Sequence, residues 1–432
     1  MVKKRWGARV VLAGVLSIGL GLVAAPAEAH RGDDGARTVG YYTQWSVYDR
    51  NFPVKSLVDN GSAAKLTHLN YAFGFLDEQG KCVSADPWAD YQRPVPAEQA
   101  VSGKADEAGQ ALSGNLNQLK QLKAKYPRLR VYISLGGWTG SKYFSNAALT
   151  AESRAAHVKS CLDVWLKGNL PGAAAGAAAG VFDGVDLDWE WPGSEGNPGN
   201  VIRPQDKQNY TKLLWEYRLQ LVKLGWQNRR SYDLTAFLPA NPAMIDRGFE
   251  IAKVYSLLTF ATVQGYDYHG SWEPMTNQQS ALRNSAADPT TPQFSSQVVV
   301  DAHLQRGADR DKIVLGVPYF GRGWTGVTNQ NNGLFQPATG AAPATYEAGT
   351  EDYKKLKTLV GTGNYKLHRD EKAGHAWLFD GTTFWTFDDP AEIRRKAKFI
   401  TDRRLGGAMI WSLDGDTSTG ELTTALQRGL RR

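Results

Sequence analysis

Eight short runs rich in β-branched and aromatic residues recur along the chain, and they restrict its fold more than any other feature. They read TVGYY from Thr38, LTHLNYAFGFL from Leu66, RVYISLGG from Arg130, GVDLDWE from Gly184, SYDLTAFLP from Ser231, LLTFATVQGYDY from Leu257, KIVLGVPYFG from Lys312 and GGAMIWSLDG from Gly406. Helical patterns lie between several of them. Tyr210, Leu213, Leu214, Tyr217 and Leu221 recur at the spacing of one apolar helix face within 205–224, and similar patterns occupy 105–125, 151–167, 250–257, 295–305, 390–404 and 418–430. Nearly continuous apolar strands that alternate with helices belong to a parallel sheet covered on its faces. Eight such units over roughly 390 residues predict an α/β fold, a (β/α)8 TIM barrel with insertions. A doubly wound open sheet is the alternative, and no strand leads through a nucleotide-type glycine turn into a helix, as that fold would use.

Two stretches interrupt the alternation. Residues 76–104 form a long loop punctuated by Pro and Gly, a length that usually carries function or disorder. Residues 322–385 carry TYEAG, HAWLFD and TTFWTF, too strand-like for a linker, and read as a small α+β insertion beside the mouth of the barrel. GRGWTG at 321–326 fits a dinucleotide fingerprint, but a polar loop follows where a helix should open, so it reads as a turn. The seven His show no zinc spacing.

The amino terminus has the pattern of a secretory leader: Lys3, Lys4 and Arg5, an apolar stretch from Val10 to Ala25, and Ala27-Glu28-Ala29 as the cleavage pattern. The apolar stretch is shorter than the ~20 residues of a membrane span. The expectation is a leader over 1–29, a catalytic chain over 30–432, and an extracellular, secreted product without a membrane anchor. Removing residues 1–29 takes four cations and one anion from the formal +7, leaving about +4. With no Lys/Arg tract beyond the leader, nucleic acid is not an expected partner. Cys82 and Cys161 are the two cysteines; an oxidising exterior permits one disulfide between them, and two separate buried thiols fit equally well.

The stretch FDGVDLDWEWPG at 182–193 is chemically the most unusual. Carboxylates are costly to bury and depleted in strands. A period of two would send Asp186, Asp188 and Glu190 to one face, and Val185, Leu187 and Trp189 to the other. Barrel active sites sit at the C-terminal strand ends, which places Glu190 at the end of the fourth strand with Asp188 and Asp186 progressively deeper. Like charges so close cannot all ionise cheaply, so protons are shared and the outermost acid is held protonated, as a general acid requires. The competing readings are a salt-bridge cluster, for which the neighbouring strands offer few cations, and a calcium site, which would draw six to eight oxygens from a flexible loop.

The spacing of Asp183, Asp186, Asp188 and Glu190 resembles the signature of glycoside hydrolase family 18, the chitinase family. The family's second motif, a serine, one residue and two glycines closing the third strand, is matched by Ser134, Gly136 and Gly137. The resemblance runs from about Thr38 to the C-terminus and includes the insertion between strands seven and eight. It implies an enzyme that hydrolyses the β-1,4 bonds of chitin and N-acetylglucosamine oligomers with retention, through a cyclic oxazolinium ion made by the substrate's own acetamido oxygen, an exception to the two-carboxylate scheme. Neither metal nor cofactor is implied, and a monomer is expected.

Carried over by position, the resemblance makes Glu190 the proton donor, Asp188 the acid that orients the acetamido group, and Asp186 its proton-sharing neighbour. Tyr266 and Asp267, in GYD at the end of strand six, would meet the same group from the opposite side. Gln264 stands where the family commonly has Met. Trp411 would floor the subsite before the cleavage point, with Gly137, Tyr41, Trp45, Phe73, Trp138 and Arg322 as further substrate contacts. Trp189, Trp191, Trp272 and Trp324 also fall at or beyond strand ends, where flat rings suit the C–H face of a pyranose. Trp165, Trp215 and Trp226, on helical stretches, read as core. A sugar-binding lectin and an endo-acting N-acetylglucosaminidase on glycoproteins are the alternatives; lectin relatives typically replace the acid that stands here as Glu190.

Overall fold

The computed structural model describes residues 35–431, so the leader expected over 1–29 lies outside the described residues. The first eight strands are β1 (Arg37–Thr43), β2 (His68–Leu76), β3 (Cys82–Ser84), β4 (Arg130–Gly136), β5 (Gly184–Asp188), β6 (Asp233–Leu238), β7 (Phe260–Val263) and β8 (Ile313–Pro318). Six more follow: β9 (Phe320–Thr325), β10 (Gly340–Ala341), β11 (Thr350–Asp352), β12 (Lys366–Asp370), β13 (His375–Phe379) and β14 (Phe384–Phe387). The last is β15 (Gly407–Trp411). All the barrel strands pair in parallel in the order β15, β8, β7, β6, β5, β4, β2, and β1 bonds to both β2 and β15. The sheet is therefore closed, a (β/α)8 barrel, and no open edge is left around the ring.

Period two explains β5 well. Val185 and Leu187 are fully buried on the outer face of the strand, and Trp189 beyond them stacks on Phe144 at 5.4 Å and lies 5.9 Å from Tyr210 of the covering helix Asp206–Asn228. Burying each such side chain stabilises the fold by about 1.5–3 kcal/mol. Trp189 is thus a packing residue and does not line the cleft. Trp324 is corrected in the same way, being fully buried in the insertion. The helical tryptophans divide: Trp165 is core, whereas Trp215 and Trp226 are 55% and 77% exposed. Helical spacing identifies a stripe, but only the neighbouring chain decides which stripe is covered.

Asp183 differs from the acids that follow it. It accepts from the Val131 amide at 2.9 Å and pairs with Lys123 at 2.8 Å and Arg230 at 2.5 Å, fastening the N-terminal end of β5. The loop at 76–104 is ordered around β3, which returns antiparallel to β2, and a π-helical turn, Trp88–Gln92. A disulfide joins Cys82 to Cys161, at the end of the helix Ala151–Cys161, and ties this hairpin to the barrel.

Between β8 and β15 the chain builds a six-stranded antiparallel sheet from Phe320 to Phe387, with a core of Trp324, Leu334, Phe335, Trp377, Phe379 and Phe384. GRGWTG is therefore largely strand, where a turn was expected. Gly323 lies under the Trp385 ring, whose atoms would be 2.4 Å from an added Cβ, so a glycine-rich segment can still be a strand where a ring packs onto it. Arg50, after β1, fixes the insertion to the rim through Asp352 at 2.6 Å and Asp414 at 3.1 Å.

Candidate active site

Strand register builds the site around Asp186. Ser134 on β4 and Thr235 on β6 are its lateral partners. Their hydroxyls donate to it at 2.8 and 2.6 Å, and the Tyr41 hydroxyl donates at 2.7 Å. Asp186 is fully buried. Burial pushes its pKa up, and the three hydroxyl donors oppose the rise.

Asp188 is the next residue on that face, and its lateral partner is Gly136. A Cβ at Gly136, where φ is +110°, would stand 2.2 Å from the Asp188 carbonyl oxygen. Gly137, with φ +71°, leaves space for Phe73, whose ring would be 2.6 Å from an added Cβ. Gly137 thus provides room beside the cleft. Asp188 is buried, with its Oδ1 unpaired, and burial followed by the charges of Glu190 and Asp186 holds its pKa well above the carboxylate range.

The strand ends at Asp188, so Glu190 lies two residues past β5 and is not its last member. Two contacts that motif reading does not reveal hold its backbone there. The Glu190 amide donates to Ser141 Oγ at 2.8 Å, and Asn200 Nδ2 donates to the Glu190 carbonyl at 2.9 Å. Ser141 in turn donates to the Gly137 carbonyl at 2.8 Å. Glu190 keeps a partly accessible face although protein surrounds it densely, the situation of a group on the floor of a cleft. Burial raises its pKa to about 8, against a hydrogen bond with Asp188 that lowers it, and Asp267 raises it further. The outermost acid therefore retains a proton at neutral pH.

Tyr266 is buried, and its hydroxyl is raised by burial and then by the charges of Asp267, Asp188, Glu190 and Asp186, which places it within electrostatic reach of the whole row. Asp267, at φ +57°, accepts from Arg322 Nε at 2.8 Å. The Arg322 guanidinium lies over Trp272 at 5.1 Å and Phe320 at 5.2 Å. Gln264 accepts from the Ala240 amide at 3.2 Å, so its side-chain carbonyl is committed to the loop after β6.

Trp411 is partly exposed and stacks on Phe73 at 5.8 Å; Phe73 is followed by Trp45 at 6.2 Å. Tyr41 requires a correction: it lies within β1, only 1% exposed, with its hydroxyl on Asp186 and its ring edge 5.2 Å from Trp411. It is better placed to hold the acid row than to meet a ligand. Trp138 and Trp45 are 50% and 39% exposed, and Trp191 is buried against Phe237 at 5.6 Å. A separate groove of about 430 Å³ on the outer helices, lined by Arg154, Trp215 and Lys253 among others, includes none of these residues. The chemistry lies with the acid row.

The site is thus the C-terminal mouth of a closed barrel, where an acid raised by burial stands beside two deeper acids and an aromatic wall. Residues 37–416 match Glycosyl hydrolases family 18, and the chain belongs to that family. It is similar to Chitinase 63 of Streptomyces plicatus, 36% identical over 91% of this chain and 60% of the relative, and to Chitinase C of Streptomyces lividans, 36% identical over 90% and 59%. The chain thus spans about three fifths of the length of these relatives. Among solved structures it is similar to the catalytic domain of a psychrophilic chitinase B from Arthrobacter TAD20, with 45% identity, a TM-score of 0.88, and coverage of 92% of this chain and 96% of that one.

Proposed function

We propose that the protein is a chitinase, hydrolysing β-1,4 bonds between N-acetylglucosamine units with retention by substrate-assisted catalysis. The observation that carries this reading is the acid row: three neighbouring carboxyls at the barrel mouth, the deepest taking three hydroxyl donors and the outermost raised by burial. Glu190 gives its proton to the glycosidic oxygen as the bond from that oxygen to the anomeric carbon breaks. The acetamido carbonyl oxygen of the same sugar forms the new bond to that carbon, giving the oxazolinium ion. Glu190, now a carboxylate, takes a proton from water as the water oxygen attacks the anomeric carbon and reopens the ring. Two displacements at one carbon return the original configuration. Asp188, having passed its proton to Asp186, accepts the acetamido N–H and stabilises its developing positive charge, while Asp186 and Tyr266 hold Asp188 and the acetamido group in register.

The relatives' names support chitin as the substrate class. The partly exposed rings of Trp411, Trp45, Trp138 and Trp272 support a linear saccharide, because flat apolar faces match pyranose C–H surfaces. The test is product analysis on the N-acetylglucosamine hexamer by NMR at early times. Fresh β-anomer is expected; fresh α-anomer, or no cleavage of the hexamer by the wild type, overturns the reading.

The proposal extends to export with cleavage after Ala29 and action as a monomer. The charged and apolar leader and the Cys82–Cys161 disulfide support export. Expression with the full leader should yield extracellular protein beginning at His30; retention of the uncut chain in the cells contradicts it.

A further inference from the structure

We infer that Asp90 is a positioning residue for the outer part of the cleft, acting on Trp45 through Gln44. Asp90 is completely buried in the π-helical turn Trp88–Gln92, away from the acid row, and it makes no ion pair with a cation among the described residues. Its carboxylate gathers three neutral donors from three other segments: Gln44 Nε2 at 2.9 Å from the turn after β1, the Tyr71 hydroxyl on β2, and Ser84 Oγ on β3. Asn115, from the helix Gly114–Lys125, closes the arrangement by donating to the Tyr71 hydroxyl at 3.0 Å and to the Gln44 carbonyl at 3.1 Å.

Gln44 is consequently fixed at both ends, side chain to Asp90 and backbone to Asn115. The next residue is Trp45, whose ring lies 6.2 Å from Phe73 and so continues the aromatic wall that starts at Trp411. A side chain 39% exposed has few contacts of its own to hold it, and the short turn Gln44–Val47 supplies no long helix to do so. The turn has bonds of its own, from the Phe52 amide to the Ser46 carbonyl at 2.8 Å and from the Tyr48 amide to the Trp45 carbonyl at 3.1 Å, and Gln44 is the side chain that ties it to Asp90. Burial raises the Asp90 pKa to about 6, and its three donors oppose the rise by favouring the carboxylate, to which hydrogen bonds are the stronger kind. Gln44 and Tyr71 share Oδ1, while Oδ2 meets only Ser84, a hydroxyl that can also accept, so removing the link takes an apolar side chain and not an amide.

The inference rests on the proposed function for its substrate. The experiment measures kcat and KM on the N-acetylglucosamine hexamer for Asp90→Leu, Trp45→Ala and the double variant, with Gln44→Met as a second way to remove the link should Asp90→Leu fail to fold. Asp90→Leu or Gln44→Met should raise KM about tenfold with kcat changed less than about twofold, since Trp45 contributes binding and not bond cleavage. In the Trp45→Ala background the same substitution should change KM less than about twofold. An unchanged KM, an equal fall in kcat, or an undiminished effect in the Trp45→Ala background overturns the inference. A wild type that does not cleave the hexamer refutes the proposed function instead, so the two failures are distinguishable.

Discussion

Two clusters of buried carboxylates, one at the barrel mouth and one at the foot of the insertion, separate burial from charge pairing. At the barrel mouth, Asp186, Asp188 and Glu190 meet hydroxyls and one another, with no cation among the contacts described above. At the foot of the insertion, where β14 runs into the helix Pro390–Asp402, Asp388 meets Lys396 with both side chains fully buried, and Glu392 meets Arg369 from β12. Burial raises the acids in both places, and at the foot of the insertion Lys396 and Arg369 oppose the rise. Opposite charges there join the insertion to the barrel. In the row, hydroxyl donors and retained protons lower the electrostatic cost in place of cations, and a retained proton is what acid catalysis consumes.

Four experiments sharpen or break this comparison, from the largest effect to the smallest. Glu190→Gln should lower kcat on the hexamer by roughly 10²–10⁴-fold with an unchanged circular dichroism spectrum; near-normal turnover would remove Glu190 from the chemistry. Lys396→Met leaves Asp388 buried without its cation and should cost about 3–5 kcal/mol in denaturant unfolding, while kcat of the folded enzyme stays within twofold or so. A stability within about 1 kcal/mol of wild type would mean that the pair does not fasten the two regions.

Asp188→Ala should lower kcat by roughly a hundredfold. It also removes the hydrogen bond that lowers Glu190, so the alkaline limb of the pH–rate profile should move above pH 8. An unmoved limb would contradict the shared proton. The smallest change is in the wild type itself. Glu190 must be protonated to act, and its pKa is raised to about 8, so kcat should hold below that pH and fall as pH rises through it. Lys396→Met should leave this limb where it is, and a shift would mean that the two clusters communicate.

Asp186 and Asp188 were legible because they share one strand, Glu190 because it continues their spacing two residues beyond it, and the partner motif because parallel pairing puts Ser134 beside Asp186 and Gly136 beside Asp188. Thr235 occupies the matching place on the other side, but a single Thr in a strand carries no signal without the register. Ser141 and Asn200 hold Glu190 from loops 49 and 10 residues away, and nothing in their spacing announces it. Tyr41 was legible as a residue near the cleft, yet whether it faces a ligand or Asp186 depends on which neighbour reaches its hydroxyl first.

Sequence alone determined the barrel, by the alternation of apolar strands with amphipathic helices, and the identity of the row, because the period of a strand is a local property. Closure of the ring, the lateral donors around Asp186, the pairing of cations with Asp388 and Glu392, and the hold on Glu190 were decided by the tertiary structure. Those outcomes depend on which distant segments meet, and a carboxylate's proton affinity is set by the groups that surround it in space, whatever their distance along the chain.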